Sequence, residues 1–168
     1  VPKVFKIFGP GNQFVTVAKQ MATQHHVAID MPAGPSELLV VADQSANPAY
    51  VASDLLSQAE HGADSQVILI TTYYPILEKV SGEIKKQLPL LPRKEIAMQA
   101  IKNSKMIAFN SNEDAIAFIN QYGPEHYIIC VEEQDLYVGQ VMNAGSVFIG
   151  NYTPESAGDY ASGTNHTL

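Results

Sequence analysis

Residues 37–71 read ELLVVADQSANPAYVASDLLSQAEHGADSQVILIT, and this stretch decides the fold class. Its two ends, ELLVVA (37–42) and QVILIT (66–71), are short β-branched runs with almost no polar break. A strand with one wet face alternates polar and apolar residues, whereas a continuous apolar run marks a strand covered on both faces. Between the runs lies a helical pattern over 49–60, followed by Gly62, a residue suited to ending a helix. Strand, helix and a second buried strand make a βαβ unit, whose strands are parallel.

The same alternation continues outward. Apolar runs at 105–109, 127–131 and 146–149 read as further strands; 75–87, 94–103, 114–122 and 134–143 read as helices, with Gly123 and Gly145 as stops. The expected fold is α/β: a layered, mostly parallel, Rossmann-like sheet with helices on both faces. The direction of the last strand stays open. Residues 1–35 differ. A Gly-Pro-Gly-Asn turn (9–12) leads into a helix from Phe14 to about His25, then a short apolar piece and a Pro/Gly-rich passage at 31–35. The expected organisation is a partial segment of a second module (1–35), an α/β domain (36–150) and a polar tail (151–168).

Composition narrows the function. The chain has 168 residues, 46% of them hydrophobic, with 10 Lys+Arg against 17 Asp+Glu. A net charge of −7 argues against nucleic acid and anionic membranes, which need clustered cations. No apolar run reaches the length of a membrane span, and no secretory signal opens the sequence. The single cysteine, Cys130, excludes an internal disulfide framework and fits a reducing cytoplasm; in an apolar strand it reads as a buried, inert thiol.

Polar residues gather in a few places. Gln58 and His61 are three apart near a helix end, so both fall on one helix face, where an amide oxygen and an imidazole can share a metal. The plainer reading is that His61 neutralises the helix C-terminus. Glu125 and His126 sit side by side before a strand and point to opposite sides, as separate acid/base groups or as a solvated turn. Asp159 and His166 lie in the polar tail. Asn12 can cap a helix or help its N-terminus meet a phosphate. Helices of a βα unit run back antiparallel to their strands, so Gln58 and His61 reach the N-terminal edge of the sheet. Ser36 and the pair 125–126 sit at the same edge. Ligands of open α/β sheets usually bind at the opposite edge. Asp159 starts from that far side if the last strand is parallel, but ten residues span up to about 33 Å and allow a return.

At these segments the sequence strongly resembles histidinol dehydrogenases, through GPGN (9–12), IDMPAGPSE (29–37), DLLSQAEHG (54–62), DSQVIL (64–69), GPEH (123–126), AGSVFIG (144–150) and TPESAGDYASGTNH (153–166). The passages run through nearly the whole chain in the family's order. The resemblance implies oxidation of L-histidinol to L-histidine through an aldehyde, using two NAD⁺ and one zinc ion, in the last steps of histidine biosynthesis. It implies Gln58, His61 and Asp159 as zinc ligands, and Glu125 and His126 as the catalytic acid/base pair. Ser36, Gln58, His61, His126, Asp159 and His166 are implied substrate contacts, and Asn12 part of the NAD site.

Members of the family are much longer. The resemblance makes this chain a central fragment, lacking an N-terminal part with further NAD contacts and a C-terminal part that supplies another His ligand and a Glu across a homodimer. Alone, it is expected to bind zinc poorly, to lack activity, to expose apolar surface that favours a dimer, and to leave 153–168 poorly ordered without metal. The alternatives are a non-catalytic binding module that keeps the fold, and a zinc hydrolase in which Glu125 acts on metal-bound water.

Overall fold

The computed structural model describes residues 2–9, 13–30 and 37–162, except for the side chains of Gln13, Asp159 and Tyr160. The chain divides into two compact units, Val1–Gly34 with Thr167–Leu168, and Pro35–His166.

In the smaller unit, strand β1 (Lys6–Ile7) pairs in parallel with β2 (Ala28–Ile29), with α1 (Gln13–Thr23) between them. Lys19 and Asp30 form an ion pair; Lys19 also donates to the Gly9 carbonyl at 3.0 Å, and the Gly9 amide donates to Asp30 Oδ2 at 2.9 Å. The bond from Lys19, with the Gly9 amide bond next in weight, holds the Asp30 carboxyl below the usual range.

The larger unit is a five-stranded, wholly parallel sheet. Its strands are β3 (Glu37–Ala42), β4 (Gln66–Thr71), β5 (Lys105–Ala108), β6 (His126–Cys130) and β7 (Ser146–Ile149), in the order β5-β4-β3-β6-β7. Helices α2 (Pro48–Ala59), α3 (Pro75–Gln87) and α4 (Lys94–Asn103) contribute to a core on one face, with Leu38, Val40, Leu69 and Ile128. Helices α5 (Asn112–Tyr122) and α6 (Gln134–Val138) contribute to the other, with Leu39, Val41, Ile70 and Ile129. The β3 side chains are 0–1% exposed from Leu38 to Ala42, as an unbroken apolar run demands.

Local chemistry sets the helix ends. Asn47 caps α2 by accepting from the Ala49 amide, with Pro48 in the first turn. Ser111 caps α5 by accepting from the Asp114 amide. Gly123 closes α5 with a left-handed φ of 64°, which costs glycine little.

Three expectations are corrected. Helix α6 stops at Val138 with Gly139 as its cap, not at 143. Gly145 is therefore no helix stop. Its amide donates to the Pro124 carbonyl at 3.1 Å, and the next amide, of Ser146, donates to the Glu125 carbonyl at 2.8 Å, so the pairing of β6 with β7 reaches back beneath residues 124–125. The tail is not simply irregular either: α7 occupies Glu155–Tyr160. The last strand, left open by the sequence, is parallel.

Candidate functional site

Because every strand of the larger sheet points the same way, Glu37, Gln66, Lys105, His126 and Ser146 all start at one edge. His126 is the first residue of β6, one position earlier than the predicted strand, and pairs with Leu38 and Ser146 on either side. Residues 126, 128 and 130 share a strand face, and Ile128 and Cys130 place that face in the α2–α4 core. The imidazole of His126, 7% exposed, thus turns toward α2.

There it meets Gln58, whose side chain is wholly buried in the last turn of α2: His126 Nδ1 lies 3.3 Å from Gln58 Oε1. A third group comes from α7. Glu155 Oε1 is 3.4 Å from the same Nδ1, with the Glu155 side chain 3% exposed. The chain therefore makes the return that a parallel last strand requires, and by Glu155 it is back at the N-terminal edge. Both Oε1 atoms can accept a hydrogen bond from a proton on Nδ1.

Glu125 has different surroundings. Its Oε2 accepts from the Glu37 amide at 3.2 Å. The Glu37 carboxyl beside it is raised by burial and, second, by the Glu125 charge. The two consecutive residues thus address different partners, one an imidazole held by side chains and the other a carboxylate held by backbone.

His61 lies just beyond the α2 cap and is exposed. Its Nδ1 is 3.1 Å from the Ser57 carbonyl, one of the last-turn oxygens that a helix leaves unpaired. A carbonyl only accepts, so Nδ1 donates and Nε2 is left with its lone pair. That capping role and ligation through Nε2 are compatible; a metal-bound histidine commonly anchors its other nitrogen in this way.

Sequence reasoning did not single out Glu155 or Asp54. Asp54 lies one turn before Gln58 on α2. Burial, and then the charge of Glu155, push its carboxyl up to about 7. The signal for both was present, since each carboxyl stands on a helix that must bury a face. Neither has the spacing of a motif, and only the fold joins them. Cys130 is 2% exposed with its thiol pushed up to about 12, chiefly by burial, which makes it inert.

Asn12, Ser36 and His166 lie outside the described residues, as does the side chain of Asp159, whose backbone belongs to α7. Among the described residues, no three His, Cys, Asp or Glu side chains form a group that could hold a metal.

The family profile described as histidinol dehydrogenase matches residues 1–168. Histidinol dehydrogenase of Bacteroides thetaiotaomicron is 59% identical over 168 residues, covering 100% of this chain and 39% of that protein. The enzyme of Pseudoalteromonas translucida is 59% identical over 170 residues, covering 100% of this chain and again 39% of the relative. The crystal structure of histidinol dehydrogenase from Elizabethkingia anophelis superposes with a TM-score of 0.95 at 60% identity, over 100% of this chain and 39% of that one. The chain thus spans about two fifths of the length of these relatives. With an unbroken match and the same parallel α/β architecture, this chain belongs to the histidinol dehydrogenase family.

Proposed function

We propose that this chain is the central portion of a cytoplasmic enzyme of histidine biosynthesis that oxidises L-histidinol to L-histidine through the aldehyde, with NAD and zinc. The observation that carries this reading is the meeting of Gln58, His126 and Glu155, with Glu125 next in the chain, at one edge of the sheet.

His126 is the proposed base. With Nδ1 engaged by two acceptors, Nε2 is the atom that takes the hydroxyl proton as the alcohol becomes the aldehyde. Glu125 then takes a proton from a water that adds to the aldehyde carbon, giving the hydrate from which the second oxidation proceeds. The Glu37 amide fixes one oxygen of that carboxylate and leaves the other for the water. Separate anchoring of the two groups suits two proton transfers at different stages.

The proposed zinc ligands are Gln58, His61 and Asp159. Amide oxygen, imidazole nitrogen and carboxylate form a donor set that suits zinc. Two local features favour the fit: a His61 Nδ1 that donates to the Ser57 carbonyl leaves Nε2 for a metal, and the buried Gln58 Nε2 has no hydrogen-bond partner among the described residues. When bound, zinc supplies a fixed positive charge that orients the substrate nitrogens, and NAD supplies the hydride acceptor. Ser36, Gln58, His61, His126, Asp159 and His166 are the proposed substrate contacts, and Asn12 part of the NAD site.

A homodimer completes the proposal. Phe5, Phe14 and Tyr152 are 97%, 85% and 85% exposed, apolar surface of the kind that partner chain or the remainder of a longer protein covers. Among the described residues, no helix is long and apolar enough to cross a membrane.

The test is stoichiometric. The full-length protein, given L-histidinol and excess NAD⁺ with zinc, is expected to form two NADH per histidinol consumed. No NADH at any zinc level would overturn the dehydrogenase reading and favour a non-catalytic module.

A further inference from the structure

We propose that Lys19 and Asp30 are positioning residues for the dinucleotide: together they hold both ends of the turn between β1 and α1, the turn that carries Asn12. This role rests on the reading of Asn12 as an NAD contact; the clamp itself does not.

The smaller unit has a topology that fits a dinucleotide. Its two strands are parallel with α1 between them, and such units take ligands outside the carboxyl ends of their strands. Gly9, two residues past β1, and Asp30, one past β2, lie at that end, where the Asp30 amide donates to the Ile7 carbonyl at 3.1 Å. In dinucleotide-binding units an acid beyond the second strand commonly takes a ribose hydroxyl. Here both oxygens of the acid are engaged inside the unit, Oδ1 by Lys19 and Oδ2 by the Gly9 amide at 2.9 Å. Lys19 Nζ also donates to the Gly9 carbonyl at 3.0 Å. Gly9 is therefore gripped at its amide and at its carbonyl, and Lys19 ties it to the second turn of α1. The backbone held in this way has a φ of 156°, a region that glycine enters at little cost.

Residues 9 and 13 are the ends of a short turn. With Gly9 fixed to α1, those ends are set before a cofactor arrives, and what is set beforehand does not have to be ordered on binding. Stability alone is a weak reason for the pair. The Lys19 side chain is 7% exposed. A buried ion pair gains little over apolar residues of similar volume, whereas loss of one partner strands a buried charge. The test therefore changes both residues at once.

The full-length, zinc-loaded protein is titrated with NAD⁺ by calorimetry in the absence of histidinol, alongside steady-state kinetics. Lys19→Met/Asp30→Asn removes both charges. It is expected to weaken NAD⁺ binding at least about tenfold and to leave KM for histidinol within about twofold. The exchange Lys19→Asp/Asp30→Lys keeps an ion pair but sets like partial charges against the Gly9 amide and carbonyl, so it should weaken NAD⁺ binding as much; a purely structural ion pair would be restored by it. NAD⁺ affinity within about twofold of wild type in either folded variant would overturn the proposal. Hydrogen exchange of the wild type needs no variant. The Gly9 amide is expected to be protected without NAD⁺, and protection that appears only when NAD⁺ is bound would equally overturn the clamp. A wild type that binds no NAD⁺ removes the cofactor reading and this role with it, whereas NAD⁺ binding that both variants retain removes this role alone.

Discussion

The carbonyl oxygen of Glu125 sits 2.6 Å from the point where a Cβ on Gly145 would lie. Only a residue without a side chain lets the chain entering β7 run this close beneath the Glu125–His126 step, and the Gly145 amide uses the approach to donate to the Pro124 carbonyl. Gly145→Ala must push the two segments apart. It is expected to destabilise the fold by about 1–3 kcal/mol and to lower kcat more than it raises KM, because the acid/base pair moves. Urea unfolding and steady-state kinetics on the full-length protein check both.

Gln58 should behave as a residue kept for function at a cost in stability. Its amide is wholly buried, and its Nε2 has no hydrogen-bond partner among the described residues. An unsatisfied buried donor costs roughly 1–3 kcal/mol, and an apolar residue of similar shape removes that cost. Gln58→Met is expected to raise the melting temperature of the zinc-free protein while abolishing histidinol oxidation. A lower melting temperature would show that the amide contributes more through His126 than it loses.

Asp54 predicts a pH dependence of stability. Its carboxyl titrates near 7 when folded, against 3.8 as the ordinary value. Between those values the folded chain holds a proton that the unfolded chain has released, so stability falls as pH rises from about 4 to 7. The loss should be on the order of 2–4 kcal/mol. Asp54→Asn removes the titration, so its unfolding free energy should fall less between pH 5 and pH 8 than that of the wild type. Equal declines would contradict the assignment.

Glu125→Gln separates the two oxidations. If Glu125 activates water, aldehyde formation from histidinol should be largely kept while oxidation of supplied histidinal falls by at least about a hundredfold. Rapid-quench measurement of both half-reactions decides the matter; equal loss in each would remove the water-activating role.

Much of the architecture was legible because it depends on local periodicity. The unbroken apolar runs of β3 and β4 announce burial on both faces, and the helical patterns at 49–60 and 114–122 fall within one or two residues of α2 and α5. What failed was longer in range. Gly145 looked like a helix terminator because glycine ends helices, yet its role is set by a backbone twenty residues earlier in the sequence. Residues 155–160 looked like polar loop because a short helix whose buried face carries a glutamate has no apolar stripe to reveal it. The site was legible in part. Gln58 and His126 could be placed on one edge by counting residues along α2, but Glu155 and Asp54 join them only once α7 folds back.

The most direct test of the proposed site is a crystal structure of the full-length protein grown with zinc, with anomalous data at the zinc edge. The expected peak lies about 2.0–2.2 Å from His61 Nε2 and from the Gln58 amide oxygen, on the His126 side of α2. A zinc peak bound elsewhere, with Gln58 still turned wholly onto His126, would contradict the assignment of this edge as the metal and substrate site.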